Sequence, residues 1–416
     1  MSKYLVSGVT VNSVDSSFKE IIARAHENKV RPLCICKSPG IEMYIAKLSG
    51  QYIIKRMPNT GSNHASTCDS YEPPPELSGL GQVMGDAIQE NPLDGVVDLK
   101  FDFSLSKKSG RVAPTPSTVE TGSVKTDGKR LSIRSTLHLL WEDANFNRWS
   151  PAMQGKRNWF VVRKYLLEAA ENKRAKGTKL IDILYIPEAS SDAYKPQVTQ
   201  RRLAHFMKVS GVVIGGGKRL MLCVGEVKEI SKSLGGHKII FRHAEDCPFL
   251  LNDDIYGRLL KKFELEVGLC DAIPDSHLMA ICTCDINHIG VPSVVEISLM
   301  AVSEQWIPFE STYDKIVIDA MIKANRRFTK GLRYNLPSAA PLACLVAFDT
   351  LPCPTAMYVI PPGNSEDYDS ALNELIAGSK LLSWKWNTAS ENMPPIPAIG
   401  SSRSLASAEQ HDHLDL

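Results

Sequence analysis

Cys34, Cys36, His64 and Cys68 are the residues of this chain whose types and spacing point most directly to chemistry. Three thiolates and one imidazole make a closed four-ligand set. A zinc ion that supports structure takes such a set, because tetrahedral coordination then leaves no position for water. The first two cysteines are one residue apart, closer than the two or more usual for a zinc-ligand pair. His64 and Cys68 are four apart, the spacing at which both side chains leave one face of a helical turn. Between the pairs, residues 43–48 and 51–57 are rich in Tyr and Ile and flank Ser49-Gly50, a two-residue turn. The resulting hairpin would bring the two pairs together. The alternative is a cluster of reduced core cysteines, since free Cys packs as a small apolar residue. Lys37, Ser38, Ser66 and Asp69 fit such a core poorly.

The elements that must position this site belong to a chain of 416 residues, enough for about two to four domains. Hydrophobic residues make up 43% and charged residues 23%, which leaves ample core material and excludes a disordered or fibrous class. Ten cysteines are too few for a disulfide scaffold at this length and indicate a reducing compartment. The N-terminus lacks the apolar core of a signal peptide, and no run reaches ~18 apolar residues. The expected location is the cytoplasm, with no membrane partner.

The net charge of +2 hides an asymmetry. Residues 107–179 hold 16 Lys or Arg against 6 Asp or Glu, a balance of +10, so the remainder carries −8. Concentrated positive charge favours a polyanion, because binding releases the counterions condensed on nucleic acid. Apolar residues at helical spacing predict helices over 131–145 and 159–173, followed by a basic turn and a strand over 180–186. That order suits a winged-helix-like module binding DNA. Arg130, Arg134, Lys156, Arg157, Arg163, Lys164, Lys173, Arg174 and Lys176 would contact phosphates, and Trp149 or Trp159 could stack on a base of a single strand. A solvated basic surface on an ordinary helical pair is the competing reading.

The chain divides on these grounds into five parts. Residues 1–78 form the zinc-binding β-hairpin module, with a helix over 14–29 capped by Ser13 and an end marked by Pro73-Pro74-Pro75. Residues 79–129 hold a strand over 97–103 and a Ser-, Thr-, Pro-, Gly- and Lys-rich linker or disordered arm. The basic helical module spans 130–200, a mixed α/β domain 201–392, and a mobile tail 393–416. Gly215-Gly216-Gly217 reads as a hairpin turn and not as a phosphate loop, since Arg219 stands where Ser or Thr is required. Cys282, Cys284 and His288 form either a second ligand group or part of a strand core.

Residues 313–330 form an amphipathic helix pattern, followed by strands over 342–349 and 355–360, a helix over 366–381 and a last strand over 382–386. This order, with Asp349 closing the first strand, resembles the PD-(D/E)xK nuclease-like core. That resemblance implies Mg²⁺ held by Asp349 and a second acid, with a lysine positioning the attacking water. The next strand should carry acid-x-Lys and instead reads Met357-Tyr358-Val359-Ile360. Glu310, Asp314 and Lys385 are the remaining candidates for those roles, and a strand-end turn is the other reading of Asp349.

Cys34-x-Cys36, the phrase Lys55-Arg56-Met57-Pro58-Asn59-Thr60-Gly61 before His64, Tyr71-Glu72-Pro73-Pro74-Pro75-Glu76-Leu77-Ser78-Gly79, and Leu139-Leu140-Trp141-Glu142 with Asn147-Arg148-Trp149 together resemble one uncharacterised family. It is a domain-of-unknown-function family carried by bacterial conjugative plasmids and integrative elements. The resemblance implies a mobile-element setting and brings no activity with it. The expected protein is an α+β multidomain, zinc-containing DNA-binding protein with a non-cleaving nuclease-like C-terminal domain. A Mg²⁺-dependent nuclease using Asp349 and a protein-interaction component of a conjugation or element-maintenance system are the alternatives.

Overall fold

A computed structural model describes residues 2–48, 50–108, 128–189, 192–210, 212–213, 217–389 and 392–400. Most of the expected arm within 107–129, two glycines of the Gly215–Gly217 turn and the tail from 401 lie outside the described residues.

The N-terminal sheet has the order β2-β1-β3-β4-β5, with β1 Lys3–Val6, β2 Val9–Asn12, β3 Leu33–Cys34, β4 Ile41–Leu48 and β5 Gln51–Arg56. The β4–β5 hairpin is the one its sequence predicts, in register from Met43↔Arg56 to Leu48↔Gln51. The β1–β2 hairpin was not foreseen. Its turn, Ser7-Gly8, has positive φ at both residues (50° and 80°), as a tight hairpin turn requires. Helix α1, Phe18–Glu27, is shorter than expected and starts after Ser17, not Ser13. It buries Ile22 and Ala25 against Tyr4, Val6, Cys34, Met43 and Ile45.

The proline-rich stretch that follows is packed into the fold. Tyr71 and Leu77 share a core with Ala343, Val346, Phe348 and Tyr358. Gly79 lies so close to the chain at 333 that an added Cβ would sit 1.9 Å from the Arg333 carbonyl oxygen, so only glycine fits there. Next come α2 Leu80–Val83, β6 Ile88–Glu90, β7 Val97–Leu99 and β8 Ser106–Lys108, then α3 Ile133–Asp143, β9 Arg148–Trp149, α4 Trp159–Glu171, β10 Lys173–Ala175 and β11 Thr178–Lys179. Asn and Ser side chains start the two long helices: Ser132 accepts from Ser135 N and Asn158 from Val161 N. A hairpin, β10–β11, does follow the helices, but its inner strand pairs in parallel with β7 in the sheet β11-β10-β7-β6. The basic helices therefore belong to one continuous core with their neighbours, and the hairpin after them to a sheet that includes strands from before them.

After α5 Leu180–Ile183, β12 Leu184–Tyr185, α6 Lys195–Val209, β13 Val212–Val213 and β14 Gly217–Arg219, the chain builds a closed barrel. Its strands are β15 Met221–Ser233, β16 Gly236–Phe241, β17 Phe249–Leu251, β18 His277–Ile286 and β19 Pro292–Val302, with α7 Asp253–Lys262 and α8 Glu264–Ala272 between β17 and β18. The order runs β15-β16-β17-β19-β18 and back to β15, with β17–β19 parallel and the other barrel pairings antiparallel. This is the connectivity of the Greek-key barrel called the OB-fold. β15 can serve both halves because it bends. A register shift falls between Val227 and Glu229, and at Gly225 a Cβ would lie 2.7 Å from the Phe241 ring. Cys282 and Cys284 line the barrel interior, fully buried, opposite Cys223. They are core residues, while His288 is exposed on the following turn.

The C-terminal region runs α9 Thr312–Lys323, β20 Phe328–Lys330, β21 Leu345–Ala347, β22 Thr355–Ile360, α10 Glu366–Ala377 and β23 Leu382–Asn387. β20, β21 and β22 are an antiparallel meander, β23 lies parallel to β22, and β9 from the basic region pairs with β20. The expected helix over 313–330 ends early. Asn325 takes a left-handed φ of 54°, which stops the helix and lets Phe328–Lys330 become a strand. Among the described residues no helix is long and apolar enough to cross a membrane.

Candidate metal centre and nucleic-acid interface

The three cysteines and the histidine converge. Cys34 ends β3, Cys36 follows it, and the β4–β5 hairpin returns the chain to His64 and Cys68. His64 and Cys68 sit on successive turns, with Cys68 N donating to Ala65 O, rather than on the helical turn their spacing suggests. One ligand atom from each residue falls within 4.8 Å of the others. A tetrahedral ion with zinc's bond lengths places sulfurs about 3.8 Å apart and sulfur and nitrogen about 3.5 Å apart. Here Cys34 Sγ and Cys68 Sγ are 3.6 Å apart, and His64 Nδ1 lies 3.4 Å from Cys36 Sγ and 3.8 Å from Cys68 Sγ. The residues fit a metal.

The surroundings favour the ligand form of the histidine and oppose that of Cys34 in the absence of a cation. Burial, with Arg56 and Lys37 nearby, lowers the pKa of His64 and keeps its imidazole neutral. Burial pushes the Cys34 thiol up to about 12, so a thiolate at that position needs a cation beside it. Backbone N–H groups of Ala65 and Ser70 donate to the sulfurs of Cys36 and Cys68 at 3.4 Å. His64 Nε2 is buried and has no partner.

The basic residues divide into two groups, and the division corrects the charge argument. Arg157 donates to the carbonyls of Asn145, Phe146, Arg148 and Gln305, tying the loop before α4 to the chain beyond the barrel. Arg134 donates to Tyr334 O and Leu336 O, both at 2.9 Å, and Arg163 Nε to Ile186 O. Lys173 is fully buried and pairs with Asp143 and the Ala169 carbonyl. These four sites are engaged inside the protein, so part of the +10 is internal scaffolding. Arg130, Lys156, Lys164 and Lys176 are exposed and Arg174 half-exposed, with Lys164 3.8 Å from Glu168 on the same helix.

Neither expected tryptophan is available to a base. Trp149 is 3% exposed in the C-terminal core, and Trp159 is 6% exposed with its indole N–H donating to Pro187 O. Phe160, one residue further, is 72% exposed on α4, one helical turn before Lys164. The signal available for it in the sequence was Lys164, four residues on and so on the same face of the helix.

Asp349 lies beyond β21, and both its carboxylate oxygens accept from Arg326, at 2.6–3.0 Å, and one from the Arg327 backbone N–H. Glu310 accepts from Arg333 at 2.7 Å, Asp314 lies 3.4 Å from the Lys330 ammonium, and Lys385 is exposed on β23. Among the described residues, Cys34, Cys36, His64 and Cys68 form the one cluster of three or more potential ligands.

No curated protein and no solved structure matches the chain. One family model does, the family described as protein of unknown function DUF1173, over residues 4–389. With that match running through the cysteine–histidine cluster, the barrel and the C-terminal sheet alike, the chain belongs to this uncharacterised family.

Proposed function

We propose that this is a zinc-stabilised protein that binds nucleic acid, with a preference for single strands, and does not cleave it. The observation that carries the reading is Phe160, a large aromatic ring standing in solvent on α4, with Lys164 one helical turn on and Lys156 on the exposed loop that leads into the helix. Aromatic faces stack on unpaired bases while neighbouring cations track the phosphates. The barrel connectivity supports the reading by analogy of fold, since barrels of this type bind oligonucleotides. The ligand set and its spacing support zinc as the ion, in a structural role, because all four positions are filled by protein.

The order helix, three strands, helix, strand from α9 to β23 supports a nuclease-like ancestry for the C-terminal region. The engagement of Asp349 by Arg326 and the absence of acid-x-Lys on β22 support a non-cleaving one. A plasmid or integrative element remains the proposed setting, resting on the family resemblance.

Fluorescence anisotropy with a labelled single-stranded oligonucleotide tests the reading. Phe160→Ala should weaken binding by about 1–3 kcal/mol, the usual worth of one base stack. Affinity should fall with salt, and each lysine removed from the pair Lys156 and Lys164 should flatten the log–log slope by ~0.7. An unchanged affinity in Phe160→Ala, or a slope indifferent to both lysines, removes the basis of the proposal.

A further inference from the structure

The second half of the basic region lines a half-open pocket of about 240 Å³ between α4, the α5–β12 segment and α6. One ordered water needs only ~10–15 Å³ on the same measure. Aliphatic side chains form part of the wall. The polar lining is Arg163, Tyr185, Arg201, Arg202, His205 and one carboxylate, Glu188.

Three of these side chains carry a buried polar atom with no hydrogen-bond partner: Tyr185 Oη, Arg202 Nε and His205 Nε2. Tyr185 is 7% and Arg202 5% exposed, so bulk water does not solvate them. Unpartnered buried polar atoms are rare in folded interiors, and of these three Arg202 Nε–H can only donate, while Tyr185 Oη and His205 Nε2 can donate or accept. The other groups have their partners. Arg202 gives its terminal nitrogens to Asp246 at 3.0 and 2.5 Å, and Arg201 holds Glu188 through two bonds, at 3.2 and 2.5 Å.

The donor set specifies the ligand. Arg Nε–H can only donate, and burial holds Tyr185 in its protonated, donating form. Three guanidinium groups face the cavity and two of them are matched by Glu188 and Asp246, which leaves one positive charge in excess and favours an anionic occupant. Donors spread over two helices and a strand surround a tetrahedral oxyanion better than the single plane of a carboxylate, and the aliphatic wall has room for an organic group. We infer that this cavity binds a phosphomonoester. Its source is either the phosphorylated end of a nucleic-acid strand or a free nucleotide. The inference does not depend on α4 binding a strand.

Calorimetry on the full chain with inorganic phosphate, against chloride at matched ionic strength, reads the site directly. Saturable binding is expected at millimolar phosphate or below. Tyr185→Phe, which removes one donor and keeps the ring, and Arg201→Gln, at an exposed position, should each weaken it ~10-fold, as for hydrogen bonds to a charged group. No saturable heat, equal heats in both variants, or acetate binding as well as phosphate would overturn the assignment. In a second arm, a 5′-phosphorylated oligonucleotide is compared with its 5′-hydroxyl form and with a mononucleotide as competitors of phosphate. Competition by the phosphorylated strand identifies a strand end, and competition by the mononucleotide a free ligand; both support the site. Oligonucleotide binding that ignores the 5′-phosphate, in a protein that gives no phosphate heat, would sink this inference and leave the α4 reading intact.

Discussion

At the scale of single residues, arginine does much of the structural work in this protein. Arg134, Arg148, Arg157 and Arg163 all donate to backbone carbonyls. A charge count cannot see this, because the guanidinium that caps a loop and the one that meets a phosphate are the same letter. The ligands Cys34, Cys36, His64 and Cys68 were legible for the opposite reason: thiol and imidazole at short spacing have few structural alternatives. Asp349 was legible as an acid at a strand end, and its partner Arg326 was not. Arg326 is 3% exposed and its partner 18%, so the pair is largely desolvated. Removing one member of such a pair leaves a buried charge, and Asp349→Ala should lower stability by about 3–5 kcal/mol in denaturant titration. Nuclease activity in the parent protein, lost in this variant at unchanged stability, would instead make Asp349 catalytic.

Glu142 on α3 gives a pH signature. Its carboxyl accepts from Tyr334 Oη at 2.5 Å and Asn147 Nδ2 at 3.4 Å, and burial pushes its pKa up to about 8. A raised acid is protonated in the folded state while the unfolded chain has already ionised. Its stabilising effect is therefore complete below the unfolded pKa of about 4.3 and is lost as pH rises towards 8. Thermal melts of Glu142→Gln should lose less stability than the parent between pH 5 and pH 8. An identical pH dependence in both would show that Glu142 ionises freely.

At the scale of elements, long periodic helices and the β4–β5 hairpin could be read from the sequence, since their patterns are local. Short strands could not. β9, β10 and β20 have two or three residues each and exist because a distant partner supplies their hydrogen bonds. α6 was missed although Val198, Arg202, Phe206 and Val209 mark its buried side. The N-terminal sheet is the element most exposed to metal loss: its buried cluster is small, and Cys34, Cys36 and Cys68 are part of it or packed on it. Binding free energy at a structural site is folding free energy. Chelation should therefore remove hydrogen-exchange protection from β1–β5 and leave the barrel strands β15, β18 and β19 protected. Protection that stays in the sheet, or is lost equally from the barrel, would show that the cluster is not a metal-dependent unit.

At the scale of the whole molecule, the sequence divides more cleanly than the fold does. One buried cluster runs from Val83 through the basic helices and the barrel to Tyr334. The segment at 71–79 docks on the C-terminal core, and β9 carries the basic region into the C-terminal sheet. Boundaries drawn from composition follow where charge and proline concentrate, whereas strand pairing follows contacts made across the chain. That continuity packs α4 in one core with the barrel, so a bound strand would meet one continuous surface.

Ultraviolet crosslinking of a single-stranded oligonucleotide to the full chain, followed by peptide mapping, locates that surface most directly. The account predicts crosslinks concentrated on the peptide that contains Phe160. Crosslinks confined to other peptides, or none at an oligonucleotide concentration that saturates binding, would contradict it.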